Sequence, residues 1–118
     1  MRIPLRDDPT RALTHDELVA QAAQYLEYRG WLVLPTHDAR HRPLVPGISD
    51  LIAMRRARNL LVEIKIGRDE LREDQIAFAD RAIARGLEVH VVRSFEELTE
   101  LMHRVENEQA KAGRGVPL

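Results

Sequence analysis

The chain has no cysteine, only five aromatic residues in 118, no apolar run longer than the four residues Trp31 to Leu34, and almost no net charge. Each shortage excludes something. Without cysteine there is no disulfide framework, no thiolate zinc site and no cysteine nucleophile, so only His and carboxylates are left to ligate a metal. The lack of a long apolar run excludes a membrane-spanning helix. Met1 to Leu13, with Arg2, Arg6, Asp7, Asp8 and Arg11, has no signal-peptide core, and a cytoplasmic protein is expected. So few aromatics argue against a platform for stacking single-stranded bases, and Tyr25, Tyr28 and Trp31 are expected to line the core. The remainder, 44% hydrophobic and 31% charged, is the composition of a globular domain able to bury its own core. A net charge of -1 speaks at first against nucleic acid as a partner, but it says nothing about where the charges lie.

No repeat, low-complexity tract or linker divides the chain, so one domain over residues 1–118 is expected, with a core over about 14–109. Thr14 and Glu17 have the spacing of a capping box, and Leu18, Ala22, Tyr25, Leu26 and Arg29 recur at helical spacing up to Gly30. This predicts helix one over about His15 to Arg29. Trp31 to Thr36 reads as a strand and His37 to Gly47, with Pro43 and Pro46, as a loop. Ile48 to Met54 and Leu60 to Ile66 read as an antiparallel hairpin. Asp69 to Arg85, closed by Gly86, reads as helix two with Leu71, Ile76, Ala79, Ala82 and Ile83 on one side. Leu87 to Arg93 is a fourth strand, parallel to the third because a helix joins them. Ser94 and Glu97 repeat the capping pattern before Leu98, Leu101, Met102 and Val105, so helix three runs to about Gln109. The N-terminal segment and the tail from Ala110 to Leu118 are expected to be flexible. The order is αβββαβα, an α/β domain with a small mixed four-stranded sheet.

Chemistry concentrates in Pro46-Gly47-Ile48-Ser49-Asp50 and, thirteen residues on from Asp50, Glu63-Ile64-Lys65. Side chains alternate across a strand, so Glu63 and Lys65 share one face while Val62, Ile64 and Ile66 take the other. If the hairpin turns at Arg56 and Ala57, Asp50 lies nearly opposite Glu63. Two carboxylates and an ammonium then converge. Such a group suits Mg²⁺ or Mn²⁺, which take carboxylate oxygens, keep waters and bind a substrate phosphate. Phosphodiester hydrolysis fits, with Asp50 and Glu63 as ligands and Lys65 beside the attacking water. Read alone, an E-x-K on a strand is no more than two solvated charges.

In their order and spacing, these residues resemble the VRR-NUC domain, a branch of the PD-(D/E)xK nuclease superfamily. The elements are Pro46-Gly47-Ile48-Ser49-Asp50, then Glu63-Ile64-Lys65, then the helical Gln75, and a closing strand with Gly86, Val89, Val91, Val92 and Arg93. The resemblance spans about Thr14 to Leu98. It implies a restriction-endonuclease-like αβββαβ core and a metal-dependent nuclease in which Asp50 and Glu63 bind the ion, the Ile64 carbonyl adds a ligand and Lys65 is catalytic. Small stand-alone members resemble viral or prokaryotic replication, repair and recombination nucleases that act as homodimers on branched DNA such as four-way junctions. Ser49 stands where the superfamily name has Pro, Ser94 where a second Arg is expected, and Arg72 where a capping Ser is common, so the start of helix two is left open. Glu17 has two compatible readings, partner of the Thr14 cap or the helix-one Glu that reaches the metal. Gln75 lacks a Ser or Thr three residues earlier, which favours a role beside Lys65 or the phosphate.

His37 and His41, four apart in a Pro-flanked loop, are expected to be solvated or to touch phosphate and not to bind zinc. Arg40, His41, Arg42, Arg55, Arg56, Arg58 and Arg68 are candidates for phosphate contact. Residues 37–68 hold seven Arg or Lys and three acids, a local +4, against -1 over residues 1–36 and -4 over residues 69–118. The neutral total therefore hides a basic centre. The expected function is Mg²⁺- or Mn²⁺-dependent endonucleolytic cleavage of DNA. Two rivals stand beside it: a nuclease-like module that binds DNA or protein without cutting, and a hydrolase of small phosphoesters.

Overall fold

The computed structural model describes residues 12–115. Most of the N-terminal segment expected to be flexible, and the last three residues of the tail, lie outside the described residues. The elements are α1 (His15–Tyr28), β1 (Leu32–Leu34), β2 (Leu51–Arg55), β3 (Arg58–Ile64), α2 (Glu73–Ala84), β4 (Glu88–Val92) and α3 (Phe95–Gly115). The sheet order is β1-β2-β3-β4, with β1–β2 and β2–β3 antiparallel and β3–β4 parallel. This is the mixed sheet expected from the sequence. The hairpin turns at Arg56 and Ala57, whose φ of 49° and 65° suit the tight primed turn that matches strand twist. Its register pairs Leu51 with Val62 and Arg55 with Arg58, which puts Asp50 opposite Glu63.

Alternation along β3 sorts its side chains. Leu60, Val62 and Ile64 join Leu51, Ala53 and Val92 beneath Leu18, Ala22 and Leu26 of α1 and Leu98, Leu101, Met102 and Val105 of α3. Burying each of the larger of these side chains contributes about 1.5–3 kcal/mol, so this face holds the fold together. Glu63 and Lys65 project to the other face, where α2 meets them. β3 is paired on both edges and covered on both faces, which makes the sheet rigid where the charged groups sit.

Some boundaries differ from expectation. α2 begins at Glu73, four residues late, because Arg93 Nη1 donates to the carbonyls of Gly67 (3.1 Å) and Asp69 (2.7 Å) and holds that stretch as a loop. α3 continues to Gly115 through the expected flexible tail. Ala110, Lys111 and Ala112 are good helix formers, and buried Gln109 ties the helix to β2 by donating to the Arg55 carbonyl at 2.7 Å and accepting from Arg55 Nη1 at 2.9 Å. Of the aromatics expected inside, Trp31 is buried and Tyr25 packs edge-on against Phe95, but Tyr28 is 88% exposed. Two residues past Leu26 it lies about 200° around the helix, off the core stripe. Ile76 and Ile83 are also exposed, and Ala82 is the apolar side chain that α2 fully buries.

Candidate active site

Asp50 is placed by a turn and two anchors. Pro46 and Gly47 are the central residues of a turn closed by the Ile48 N–H donating to the Val45 carbonyl at 3.1 Å, with Gly47 at φ +77°, the type II pattern. Glycine is required twice over here, since a Cβ on Gly47 would sit 1.9 Å from the Asp74 carbonyl oxygen. The turn thus packs directly on the backbone that starts α2. Downstream, Thr36 Oγ1 donates to the Asp50 carbonyl at 2.8 Å, and the Ile64 N–H donates to Asp50 Oδ2 at 2.8 Å. The carboxylate is fixed to the strand that carries Glu63.

Glu63, Lys65 and Gln75 form a buried chain of hydrogen bonds, each side chain being less than a tenth exposed. Lys65 Nζ donates to Gln75 Oε1 at 2.8 Å, and Gln75 Nε2 donates to Glu63 Oε1 at 3.2 Å. The Arg72 N–H also donates to Gln75 Oε1, at 2.9 Å. Gln75 therefore does cap α2, by the half of a capping box that needs no Ser or Thr, while it orients Lys65. Burial, and then the Asp50 carboxylate beside it, push the Glu63 carboxyl up to about 8, with Lys65 and Arg72 acting in the opposite direction.

These groups line a cavity of about 350 Å³ together with His15, His37, His41, Ile64, Asp69 and Arg72. His15, which the sequence did not single out, brings Nε2 to 3.2 Å from Asp50 Oδ2. Ligand atoms of His15, Asp50 and Glu63 lie within 4.8 Å of one another, a donor set that fits a divalent ion. Glu17 completes the Thr14 capping box, accepting the Thr14 N–H at 3.0 Å while its own N–H donates to Thr14 Oγ1 at 3.2 Å. The loop before Asp50 is shaped by Asp38, whose Oδ1 accepts the N–H groups of Arg40 and Arg42 and whose Oδ2 pairs with Arg42 Nε. Those bonds hold the Asp38 carboxyl below its usual range and present His37 and His41 to the cavity.

The arginines separate into two groups. Arg40, His41, Arg42 and Arg68 belong to the loops at the Asp50 end of the hairpin. Arg55, Arg56 and Arg58 lie at its turn, five residues of strand away, about 17 Å. There Arg58 pairs with Glu88 and Glu108, both at 2.7 Å, and Arg55 lies over the Trp31 ring, 5.9 Å from its centroid.

The family model of the VRR-NUC domain matches residues 12–96. The chain belongs to the VRR-NUC family. That span contains His15, Glu17, Asp50, Glu63, Lys65 and Gln75. A solved VRR_NUC domain structure is similar to this chain at 26% identity and a TM-score of 0.62, covering 78% of this chain and 97% of that one. No curated protein matches. This VRR-NUC domain is therefore of nuclease type, and the cavity holds the residues that its motifs name. Among the described residues, no helix is long and apolar enough to cross a membrane.

Proposed function

We propose that this VRR-NUC domain is a Mg²⁺- or Mn²⁺-dependent endonuclease that hydrolyses DNA phosphodiester bonds. The observation that carries the reading is the buried Lys65–Gln75–Glu63 chain beside Asp50. An ammonium and a carboxylate held out of water by a single amide, beside a second carboxylate, cost stability, and such arrangements belong to working sites. Asp50 and Glu63 are the side-chain metal ligands, with the Ile64 carbonyl on the strand between Glu63 and Lys65. Glu17 caps α1 and, in the same reading, is the helix-one carboxylate on the metal side of the site. A bound divalent ion would supply stabilisation of charge on the phosphoryl oxygens and a more acidic water. Lys65, steered by Gln75, directs its N–H groups at the attacking water or a phosphoryl oxygen. Arg72, His37 and His41 line the same cavity and offer contacts to flanking phosphates.

Branched DNA and a homodimer complete the reading. A chain of 118 residues has a small footprint on DNA, which two-fold symmetry doubles. Ile76 and Ile83 on α2, Leu87 just before β4 and Val91 on β4 are large apolar side chains left exposed and available to a second copy. A monomer in sedimentation at micromolar concentration would remove the dimer.

The test is a cleavage assay on single-stranded, duplex, flap and four-way-junction DNA with Mg²⁺ or Mn²⁺. Asp50→Ala, Glu63→Ala and Lys65→Ala are each expected to abolish cutting while the fold and most DNA affinity persist. A Lys65→Ala protein that cuts as fast as the parent refutes the mechanism. No cleavage of any DNA by the parent favours a binding module, and turnover of a small phosphoester alone favours the third reading.

A further inference from the structure

His15 is the first residue of α1, and its ring shares the cavity with Asp50 and Glu63. The ring lies between two carboxylates. Nε2 lies 3.2 Å from Asp50 Oδ2, while Nδ1 lies 3.5 Å from Asp16 Oδ1. A carboxylate on one ring nitrogen is the common outer partner of a ligating histidine, because it keeps the proton there and leaves the lone pair of the other nitrogen for the metal. Asp16 stands in that place. Nε2, on the far side of the ring, is the nitrogen that faces Asp50, and His15, Asp50 and Glu63 offer ligand atoms within 4.8 Å of one another. Asp50 Oδ2 is meanwhile fixed by the Ile64 N–H, so the carboxylate facing the ring is held in place.

We propose that His15 Nε2 is a third side-chain ligand of the metal site, and that the mixed nitrogen and oxygen set selects Mn²⁺ over Mg²⁺. The inference rests on the metal-dependent reading above and names the metal class that the same site takes. Mg²⁺ is a hard ion that favours oxygen donors and sheds its waters reluctantly, whereas an imidazole nitrogen suits first-row transition ions. Substituting a ring nitrogen for a carboxylate also lowers the negative charge of the site, which weakens its hold on Mg²⁺ most. The position is exposed enough to change without disturbing the core, since 43% of the His15 side chain is accessible.

The experiment titrates Mn²⁺ and Mg²⁺ separately into the full chain without DNA, by calorimetry, and records pulsed electron paramagnetic resonance of the Mn²⁺-loaded protein. The parent is expected to bind Mn²⁺ at least about tenfold more tightly than Mg²⁺ and to show modulation from a directly bound nitrogen. His15→Gln should weaken Mn²⁺ by about tenfold or more, change Mg²⁺ by less than about threefold, and remove the nitrogen modulation. His15→Asp should remove the modulation and retain Mg²⁺ binding through an all-oxygen set, while His37→Gln and His41→Gln leave the parent's signal intact. Nitrogen modulation that survives His15→Gln, or equal affinity of the parent for the two ions, overturns the inference and leaves the metal site standing. A parent that binds neither ion at millimolar concentration overturns the metal-dependent reading itself.

Discussion

Replacing Gly47 by alanine should damage this domain more than its position in a surface turn suggests. Two costs add. Alanine at φ +77° occupies the left-handed region, worth about 1–2 kcal/mol for a residue with a Cβ. The new Cβ would also lie 1.9 Å from the Asp74 carbonyl oxygen, 2.4 Å from its carbon and 2.9 Å from the Gln75 nitrogen. All three are backbone atoms, so no rotamer change relieves the contact and either the turn or the first turn of α2 must move, at about 1–3 kcal/mol. The sum is about 2–5 kcal/mol, roughly 10–20 °C in the melting midpoint of a domain this size. Gly67→Ala is the internal control. Gly67 has φ +58° and nothing within 4 Å of its built Cβ, so it bears the conformational cost alone. Urea denaturation of both variants should separate them by the contact term, and metal-dependent cleavage should fall further in Gly47→Ala, because the displaced atoms carry Asp50 on one side and Gln75 on the other. Equal destabilisation by the two substitutions would refute the argument that this close approach sets the site.

Glu63→Gln should remove a pH dependence of stability that the parent shows without metal. The folded carboxyl holds its proton up to about 8 while the unfolded one releases it near 4.5, so the parent loses stability as pH rises through that window. At about 1.4 kcal/mol per pH unit the loss reaches a few kcal/mol, and urea midpoints of parent and variant that run parallel from pH 5 to pH 8 would contradict it. Gln75→Ala removes the acceptor of Lys65 Nζ and the donor to Glu63, at about 1–3 kcal/mol for buried groups left without a partner. Its turnover number should fall well below the parent's with little change in KM. Arg56→Asn combined with Ala57→Gly relieves two left-handed non-glycine residues in the hairpin turn and should raise the melting temperature, by about 1 kcal/mol in stability. No rise in a thermal melt would show that the turn is unstrained.

The pairing of Asp50 with Glu63 was legible because a two-residue hairpin has no slack. Once Arg56 and Ala57 form the turn, every partner is fixed, and the strand alternation that buries Val62 and Ile64 sends Glu63 and Lys65 to the opposite face. Gln75 was legible as a neighbour of Lys65 but not as a cap, since the familiar signal is a Ser or Thr at the position held by Arg72. His15 left no trace, because nothing in the pattern of α1 marks its first residue and only the tertiary packing of that helix end against the hairpin brings the ring to Asp50. The extension of α3 to Gly115 escaped for a related reason. Gly113 and Gly115 disfavour helix locally, and the contact that offsets them, Gln109 with Arg55, joins residues 54 positions apart. The exposure of Tyr28, and of Ile76 and Ile83 on α2, shows that hydrophobic character does not guarantee burial, a rule that runs only from inside to hydrophobic.

The basic centre of the sequence divides once it folds. Of the seven Arg and Lys between residues 37 and 68, three lie at the hairpin turn, where Glu88 and Glu108 neutralise Arg58 and where Trp31 and Gln109 occupy Arg55. A sum over sequence had counted them with the site, but a strand's length separates the two ends, about twice the Debye length in physiological salt. At the Asp50 end stay Arg40, Arg42, Lys65 and Arg68, joined by Arg72 at the N-cap of α2 and opposed by Asp38, Asp50, Glu63 and Asp69. Asp38 is satisfied within its own loop, so the charge facing a phosphate turns on the two site carboxylates. Protonated or metal-bound, they leave that surface positive; bare and ionised, they offset much of that charge. Uptake of a proton or a cation by Asp50 and Glu63 thus raises the positive charge at this end of the hairpin.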